Sequence, residues 1–266
     1  MGKGDRRVGL LARSGAALGR WLEREDEDFQ PYTPSDFETL CATLRIGDVL
    51  LVEGRAQIST AIKYLTQSTW SHAALYVGDM LPPPADGGEP CRLVEVTLRD
   101  GCAAATLSRY ARHNTRICRA VSLGDAERRA VARFMIDRIG IGYDRRNIVD
   151  LARYLIPTPP VPIRLRRRML ALGSGSPTRA ICSSLIAQAF QSVRYPILPE
   201  IRRLRPGDST RFARREVWHI RHHSLYTPRD FDLSPYFAVI KPLIAKGFDH
   251  GRIRWAEAGP EVERIR

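Results

Sequence analysis

The chain has 266 residues, of which 44% are hydrophobic, and a formal net charge of +13 at pH 7. This length and apolar content suffice for one sizeable core, which excludes a small scaffold that needs disulfides or metals to fold. Charges and prolines interrupt the longest apolar stretches, residues 148–163 and 236–244, before they reach the roughly eighteen residues of a membrane span. The sequence therefore predicts no transmembrane helix.

The basic charge comes from 42 lysines and arginines against 29 acidic residues, and arginine predominates. Such a surface attracts nucleic acid, anionic lipid or acidic substrates. A bias of the genome toward arginine, with a merely solvated surface, explains the same composition at least as well. Charge alone therefore selects no partner.

The cysteines and the N-terminus bear on the cellular compartment. The five cysteines are an odd number, irregularly spaced, and no Cys-x-x-Cys pair occurs. This pattern favours reduced thiols over disulfides or a zinc site. The chain starts with basic residues, but Arg13 and Arg20 interrupt the apolar stretch that an export signal requires. We expect a cytoplasmic protein with no metal and no cofactor.

Residues 5–25 place apolar side chains at helical spacing between arginines, which predicts an amphipathic helix. This helix either packs on its own domain or lies on an anionic membrane surface as a peripheral anchor. The acidic run 23–28 and the prolines Pro31 and Pro34 indicate a linker. We assign residues 1–43 to this N-terminal helix and linker.

From residue 44 the sequence alternates short apolar strands with turns and helices. Strands are predicted at residues 49–52, 70–77, 93–98, 116–121, 217–220 and 237–240. Helices are predicted at residues 58–65, 125–139 and 181–193, and a proline-rich loop at 81–90. We interpret residues 44–245 as one α+β domain with a mainly antiparallel sheet, residues 148–177 as a basic helical insert, and residues 246–266 as a tail.

Cys182 is the first candidate for chemistry, because the apolar face of the predicted helix 181–193 places it in the first helical turn. Unpaired backbone N–H groups and the helix dipole favour a thiolate there. The same N–H groups can stabilise an oxyanion after the sulfur attacks a carbonyl. A small buried core cysteine is the structural alternative.

His72 and Glu95 are the candidates for its partners. His72 opens an otherwise apolar strand, at what we interpret as the sheet edge, where an imidazole can accept the thiol proton. Period-two alternation puts Glu95 on the strand face of Leu93, away from Val94 and Val96. A buried carboxylate needs a partner, and orienting His72 provides one. A structural histidine and a surface glutamate are the alternatives.

Four segments together resemble a known family. They are the segments Gly47-Asp48-Val49-Leu50, Trp70-Ser71-His72-Ala73-Ala74-Leu75-Tyr76-Val77-Gly78, Val94-Glu95-Val96 and Ile181-Cys182-Ser183-Ser184-Leu185. In this order they resemble the YiiX/YebB-type branch of the NlpC-like papain-fold hydrolases. That branch is circularly permuted, so that the histidine and the polar third residue precede the cysteine.

The resemblance covers about residues 44–190 and implies a permuted papain-like fold, with the sheet packed against the cysteine-bearing helix. It implies a catalytic triad of Cys182, His72 and Glu95, and it implies that Tyr143 lines the substrate site unless it is an ordinary core tyrosine. It also implies amide hydrolysis, by an amidase or thiol peptidase. Asp48 is expected to shape a turn.

Two other functions stay open at this point. The permuted branch also resembles lecithin retinol acyltransferase-like enzymes, which implies lipid acyl transfer or thioester chemistry, with residues 5–25 and 148–169 on the membrane. The second is a non-catalytic basic binding protein, although no nucleic-acid motif accompanies its clustered arginines and no specific nucleic acid is expected. Those arginines are Arg202, Arg203, Arg205, Arg211, Arg214 and Arg215.

Overall fold

The computed structural model describes residues 37–97, 99–142, 181–203, 216–219 and 223–242, together with residues 249 and 251. The α-helices are α1 Phe37–Thr43, α2 Gln57–Thr66, α3 Asp125–Ile136, α4 Ile181–Ser192 and α5 Pro228–Leu233. The strands are β1 Val49–Val52, β2 His72–Tyr76, β3 Cys91–Thr97, β4 Gly101–Thr106, β5 Thr115–Ala120, β6 Glu200–Arg203, β7 Glu216–His219 and β8 Phe237–Ile240. None of the helices within these ranges has both the length and the apolar composition to cross a bilayer.

Six strands form one antiparallel sheet in the order β4-β3-β2-β1-β5-β8. Its centre is β1, which pairs from Val49 to Val52 with both β2 and β5. All four β1 residues are apolar and buried. Such an uninterrupted apolar run is typical of a strand covered on both faces. The predicted α+β class with a mainly antiparallel sheet is confirmed.

The two faces of the sheet bury different residues, as strand alternation requires. One face carries Val94 and Val96 and packs against α3 and α4. The other face carries Leu93 and packs against α1 and the loop after β4. The alternation predicted along β3 is therefore confirmed, and it leaves Glu95 on the face of Leu93.

Helix α4 is held in place at both ends. At its start, the buried hydroxyl of Ser183 donates a 2.9 Å hydrogen bond to the carbonyl of Tyr226. Near its end, the ring of Phe190 packs edge-on against Phe237 of β8 at 5.0 Å, with Phe231 of α5 at 6.3 Å. Aromatic packing and a buried hydrogen bond thus fix where the first turn of α4 meets the sheet.

Three features differ from the sequence predictions. Residues 37–43, assigned to the linker, form α1, and its Leu40 is buried in the core because it covers the second face of the sheet. Strand β4 was not predicted, since its segment Gly101–Thr106 is alanine-rich and lacks β-branched residues except Thr106. The strand predicted at 217–220 belongs to a separate two-stranded sheet with β6.

Several predicted features lie outside the described residues. They are the amphipathic helix at 5–25, the linker up to residue 36, Tyr143, the insert 148–177 and nearly all of the tail 246–266.

Asp48 shapes the turn into β1, as expected, and also closes a buried ion pair. Its carboxylate accepts a 2.8 Å hydrogen bond from the N–H of Arg45. Gly47 has a φ of +85° in this turn, a conformation that favours glycine. The Arg119 guanidinium donates to both oxygens of Asp48, at 2.9 and 2.7 Å. Because Asp48 is fully buried, this bidentate pair is what makes its charge tolerable.

Asp48→Ala is expected to lower the free energy of unfolding by ~3–5 kcal/mol, because it leaves the buried charge of Arg119 without its carboxylate. Chemical denaturation of the full chain measures this loss. Asp79→Ala, at an exposed turn position, is the control and should change stability little. Adding Arg119→Met to Asp48→Ala should recover part of the loss. If Asp48→Ala and Asp79→Ala change the free energy of unfolding equally, the stabilising role of the buried Asp48–Arg119 ion pair is contradicted.

Candidate active site

The candidate site lies at one end of the sheet. Strand β2 begins at His72, which pairs with Val52, the last residue of β1. The pairing of β2 with β3 ends at Ala74 and Glu95. His72 precedes Ala74 by two residues, so alternation directs its side chain to the same face as Glu95. The two predicted residues are thus brought together by strand register.

His72 and Glu95 form a short hydrogen bond, with 2.6 Å between Nε2 and Oε2. The Glu95 side chain is 1% exposed, so the alternative of a surface glutamate is wrong. The prediction that His72 lies at the sheet edge is wrong, because β2 is flanked by β1 and β3. His72 lies instead at the open end of an interior strand, where its side chain is 20% exposed.

Two further side chains hold the Glu95 carboxylate. Arg109 donates to Oε1 at 2.9 Å, and the hydroxyl of Tyr110 donates a short hydrogen bond to Oε2. Burial by itself would raise the pKa of Glu95, but the hydrogen bond and charge of His72, with Tyr110 and Arg109, lower it overall. Burial and the neighbouring Glu95 raise the pKa of Tyr110 well above its ordinary value. Glu95 is therefore an ionised acceptor facing a protonated phenol.

Cys182 is the second residue of α4 and is buried. Burial would raise the pKa of its thiol, but the charge and hydrogen bond of His72, and the N–H groups of Ala73 and Ser183, lower it overall. The Ser183 N–H belongs to the first turn of α4, where backbone donors have no intrahelical acceptor. Ala73 lies one residue beyond the last β2–β3 pair. Both backbone donors are thus directed at the sulfur.

His72 bridges the carboxylate and the thiol. Burial would lower the pKa of His72, but Cys182, through its charge and hydrogen bond, and then Glu95 raise it to about 10. Because Nε2 is bound to Glu95, Nδ1 is the ring nitrogen left for the hydrogen bond with Cys182. With the Cys182 pKa lowered and the His72 pKa raised, the two groups favour a thiolate beside an imidazolium over a neutral thiol beside a neutral imidazole. This is the resting state of an activated cysteine nucleophile.

The other buried cysteines lack these features. Burial raises the pKa of Cys102 to about 11. Burial also raises the pKa of Cys118, with Asp232 acting in the same direction. Both belong to the hydrophobic core. Among the described cysteines with a shifted pKa, Cys182 is thus the one shifted toward the thiolate.

Sequence reasoning missed Arg109 and Tyr110. Both lie on a single turn of 3₁₀-helix, Ser108–Tyr110, which follows β4. Without a prediction of β4, nothing placed this turn next to Glu95. The usable signal was the buried carboxylate itself, because an interior glutamate requires several donors and histidine supplies one. Tyr143, the predicted substrate-site residue, lies outside the described residues.

Cys182 is expected to react with iodoacetamide before the other four cysteines at mildly acidic pH, because the adjacent imidazolium of His72 stabilises its thiolate. Peptide mass spectrometry after alkylation over a pH series reads out each cysteine separately. His72→Ala should remove the advantage of Cys182. Alkylation of Cys182 with the same pH profile as half-buried Cys91 would contradict the ion pair.

Glu95→Gln is expected to move the alkylation profile of Cys182 to higher pH by at least about one unit, or ~1.4 kcal/mol. The amide keeps the size of the side chain but removes the negative charge that stabilises the imidazolium. The pKa of His72 then falls and that of Cys182 rises. Glu89→Gln is the matched control, since Glu89 is exposed and binds the N–H of Ser108. An unchanged profile for Glu95→Gln would show that its charge does not act on Cys182.

Comparison with protein-family models and with curated proteins assigns no family to this chain. No protein-family model matches the chain, and no curated protein matches it either. The resemblance to permuted NlpC-like hydrolases therefore stays a prediction. The chemical interpretation rests on the arrangement around Cys182.

Proposed function

We propose that this protein is a cysteine hydrolase that cleaves an amide through an acyl-enzyme on Cys182. The observation that carries the proposal is the chain of contacts from Cys182 through His72 to a buried, ionised Glu95. A histidine with a purely structural role needs neither a neighbouring cysteine with a lowered pKa, as Cys182 has, nor a carboxylate held by three side chains, as Glu95 is. Nucleophile, base and orienting carboxylate in this sequence are the parts of a catalytic triad.

In the proposed reaction the Cys182 thiolate attacks the amide carbonyl carbon and forms a tetrahedral oxyanion. We expect backbone N–H groups of the first turn of α4 to stabilise that oxyanion. The imidazolium of His72 then donates its proton to the leaving amine as the carbon–nitrogen bond breaks, which leaves a thioester on Cys182.

Hydrolysis of the thioester uses the same residues in the reverse sense. Neutral His72 takes a proton from water, and the resulting hydroxide attacks the thioester carbonyl. The carbon–sulfur bond breaks, the carboxylic acid leaves, and the thiolate–imidazolium pair is restored. Glu95 keeps the imidazole oriented and stabilises its positive charge throughout, without itself accepting the proton.

We also propose that the fold is a permuted papain-like fold of the NlpC-like type. Two features support this proposal. The sheet is antiparallel and packs against the cysteine-bearing helix, since α4 contacts β2 and β3. The histidine and the carboxylate lie on neighbouring strands that precede this helix in the chain. This order is the one expected from the sequence resemblance.

Incubation with p-nitrophenyl acetate is expected to add one acetyl group to the protein, at Cys182. The thioester intermediate should be visible by intact-mass and peptide mass spectrometry after rapid acid quench. His72→Ala should slow both acylation and the loss of the acetyl group, because the variant lacks the imidazolium that stabilises the Cys182 thiolate and the base that activates water. Cys91→Ser is the matched control and should acylate normally. Acetylation distributed evenly over several cysteines would refute the proposed function.

A further inference from the structure

A polar cleft with a volume of about 570 Å³ opens at the end of the sheet where β1 ends and β2 begins. It is lined mainly by polar and charged side chains from α2, the segment before β2, β5 and α5. The lining residues are Glu53, Lys63, Gln67, Ser68, Thr69, Trp70, Arg116, Arg229, Asp232 and Leu233. None of these residues takes part in the contacts around Cys182 described above.

The cleft lies at the same end of the sheet as the candidate site. Trp70 precedes His72 by two residues, which span at most about 7 Å of extended chain. Glu53 directly follows Val52, the residue paired with His72. The segment that lines the cleft at Trp70 thus continues directly into His72, which contacts Cys182 and Glu95.

The carboxylates of the cleft are already satisfied by donors of the protein. Glu53 accepts from Lys63 at 3.1 Å on Oε1 and from Asn114 at 2.8 Å on Oε2. Asp232 accepts from Arg116 at 2.6 Å on Oδ1 and from the Trp70 indole at 3.1 Å on Oδ2. Each of the four oxygens thus has a partner. A cationic ligand would have to compete with these donors for the carboxylates, so the cleft is poorly suited to bind one.

Arg229 is the cation of the cleft that is not balanced in this way. Its Nη1 donates to the carbonyl of Thr66 at 2.9 Å. Among the described residues, no carboxylate lies within ion-pair distance of Arg229. The three cations of the lining, Lys63, Arg116 and Arg229, face two carboxylates. One further negative charge would balance the cleft.

We propose that this cleft binds a carboxylate of the substrate through Arg229 while Cys182 attacks an amide carbonyl of the same molecule. The attack of Cys182 on an amide carbonyl rests on the proposed function, whereas the binding of a carboxylate by Arg229 does not. A single carboxylate matches the one unbalanced charge, whereas a phosphate monoester brings about −1.5 to −2 charges. A guanidinium also matches a carboxylate geometrically, through paired N–H donors. The substrate class is therefore an acidic, peptide-like amide.

Two alkylating reagents of equal length test this inference on the full chain. N-iodoacetyl-6-aminohexanoate ends in a carboxylate, and its carboxamide analogue ends in a neutral group. The rate ratio of the two at Cys182, divided by their ratio with free glutathione, isolates the effect of the charge. We expect a normalised ratio of about ten in favour of the carboxylate, equivalent to ~1.4 kcal/mol. A normalised ratio of one in the unmodified chain would overturn the proposal.

Arg229→Gln should reduce the normalised ratio to near one. Arg229→Lys should retain part of the ratio because the charge remains. Arg133→Gln, at an exposed position on α3, is the matched control and should keep the full ratio. A full ratio in Arg229→Gln would also overturn the proposal. If both reagents alkylate Cys182 of the unmodified chain no faster than the other cysteines, the proposed function is refuted instead.

A binding measurement separates the cleft from the chemistry of Cys182. Glutarate is titrated into the isotopically labelled full chain, and the indole N–H signal of Trp70, assigned with Trp70→Phe, is followed by NMR. At constant ionic strength, we expect the Trp70 signal of the unmodified chain to shift and to saturate as glutarate is added. The affinity for glutarate obtained from this titration should be at least about tenfold weaker in Arg229→Gln. A shift that does not saturate, or that Arg229→Gln leaves unchanged, would overturn the cleft assignment whatever the reactivity of Cys182.

Discussion

The buried carboxylate of Glu95 is the constraint on which the candidate site depends. An ionised carboxylate inside a protein costs several kcal/mol unless donors replace its water. Here His72, Arg109 and Tyr110 replace it, so one side chain joins β2, β3 and the 3₁₀ turn after β4. The position of the imidazole, and through it the charge of Cys182, follows from satisfying Glu95.

The sheet separates two kinds of buried charge. Strand β1 begins next to Asp48, whose bidentate pair with Arg119 ties the strand to β5. It ends at Val52, beside His72. The pair at the first end is enclosed and performs no evident chemistry, whereas the groups at the second end lie next to a cleft. The apolar centre of β1 keeps these two charged regions apart.

The sequence was sufficient where a local pattern determines the structure. Alternation along β3 placed Glu95 on the correct face, and the apolar face of α4 placed Cys182 in its first turn. It was insufficient where tertiary pairing decides. Alanine-rich β4 is a strand because β3 pairs with it, and Tyr110 is located by the turn that follows. Helix α1 was assigned to the linker because its few apolar residues form no clear pattern in the sequence, and the helix is stabilised by packing against the sheet.

The Ala73 N–H has a consequence for how reactivity is controlled. Alternate N–H groups of β2 point to opposite neighbours: Tyr76 donates to Asp48 beside β1, and Val77 donates to Arg92 of β3. By the same alternation Ala73 points toward β3, yet its donor is directed at Cys182 because pairing has ended one residue earlier. The hairpin and the sulfur compete for one hydrogen. Because β2–β3 pairing ends at Ala74 and Glu95, the Ala73 N–H lowers the pKa of Cys182 instead of binding β3. One further β2–β3 pair would direct this N–H to β3 and raise the pKa of Cys182 without changing a side chain.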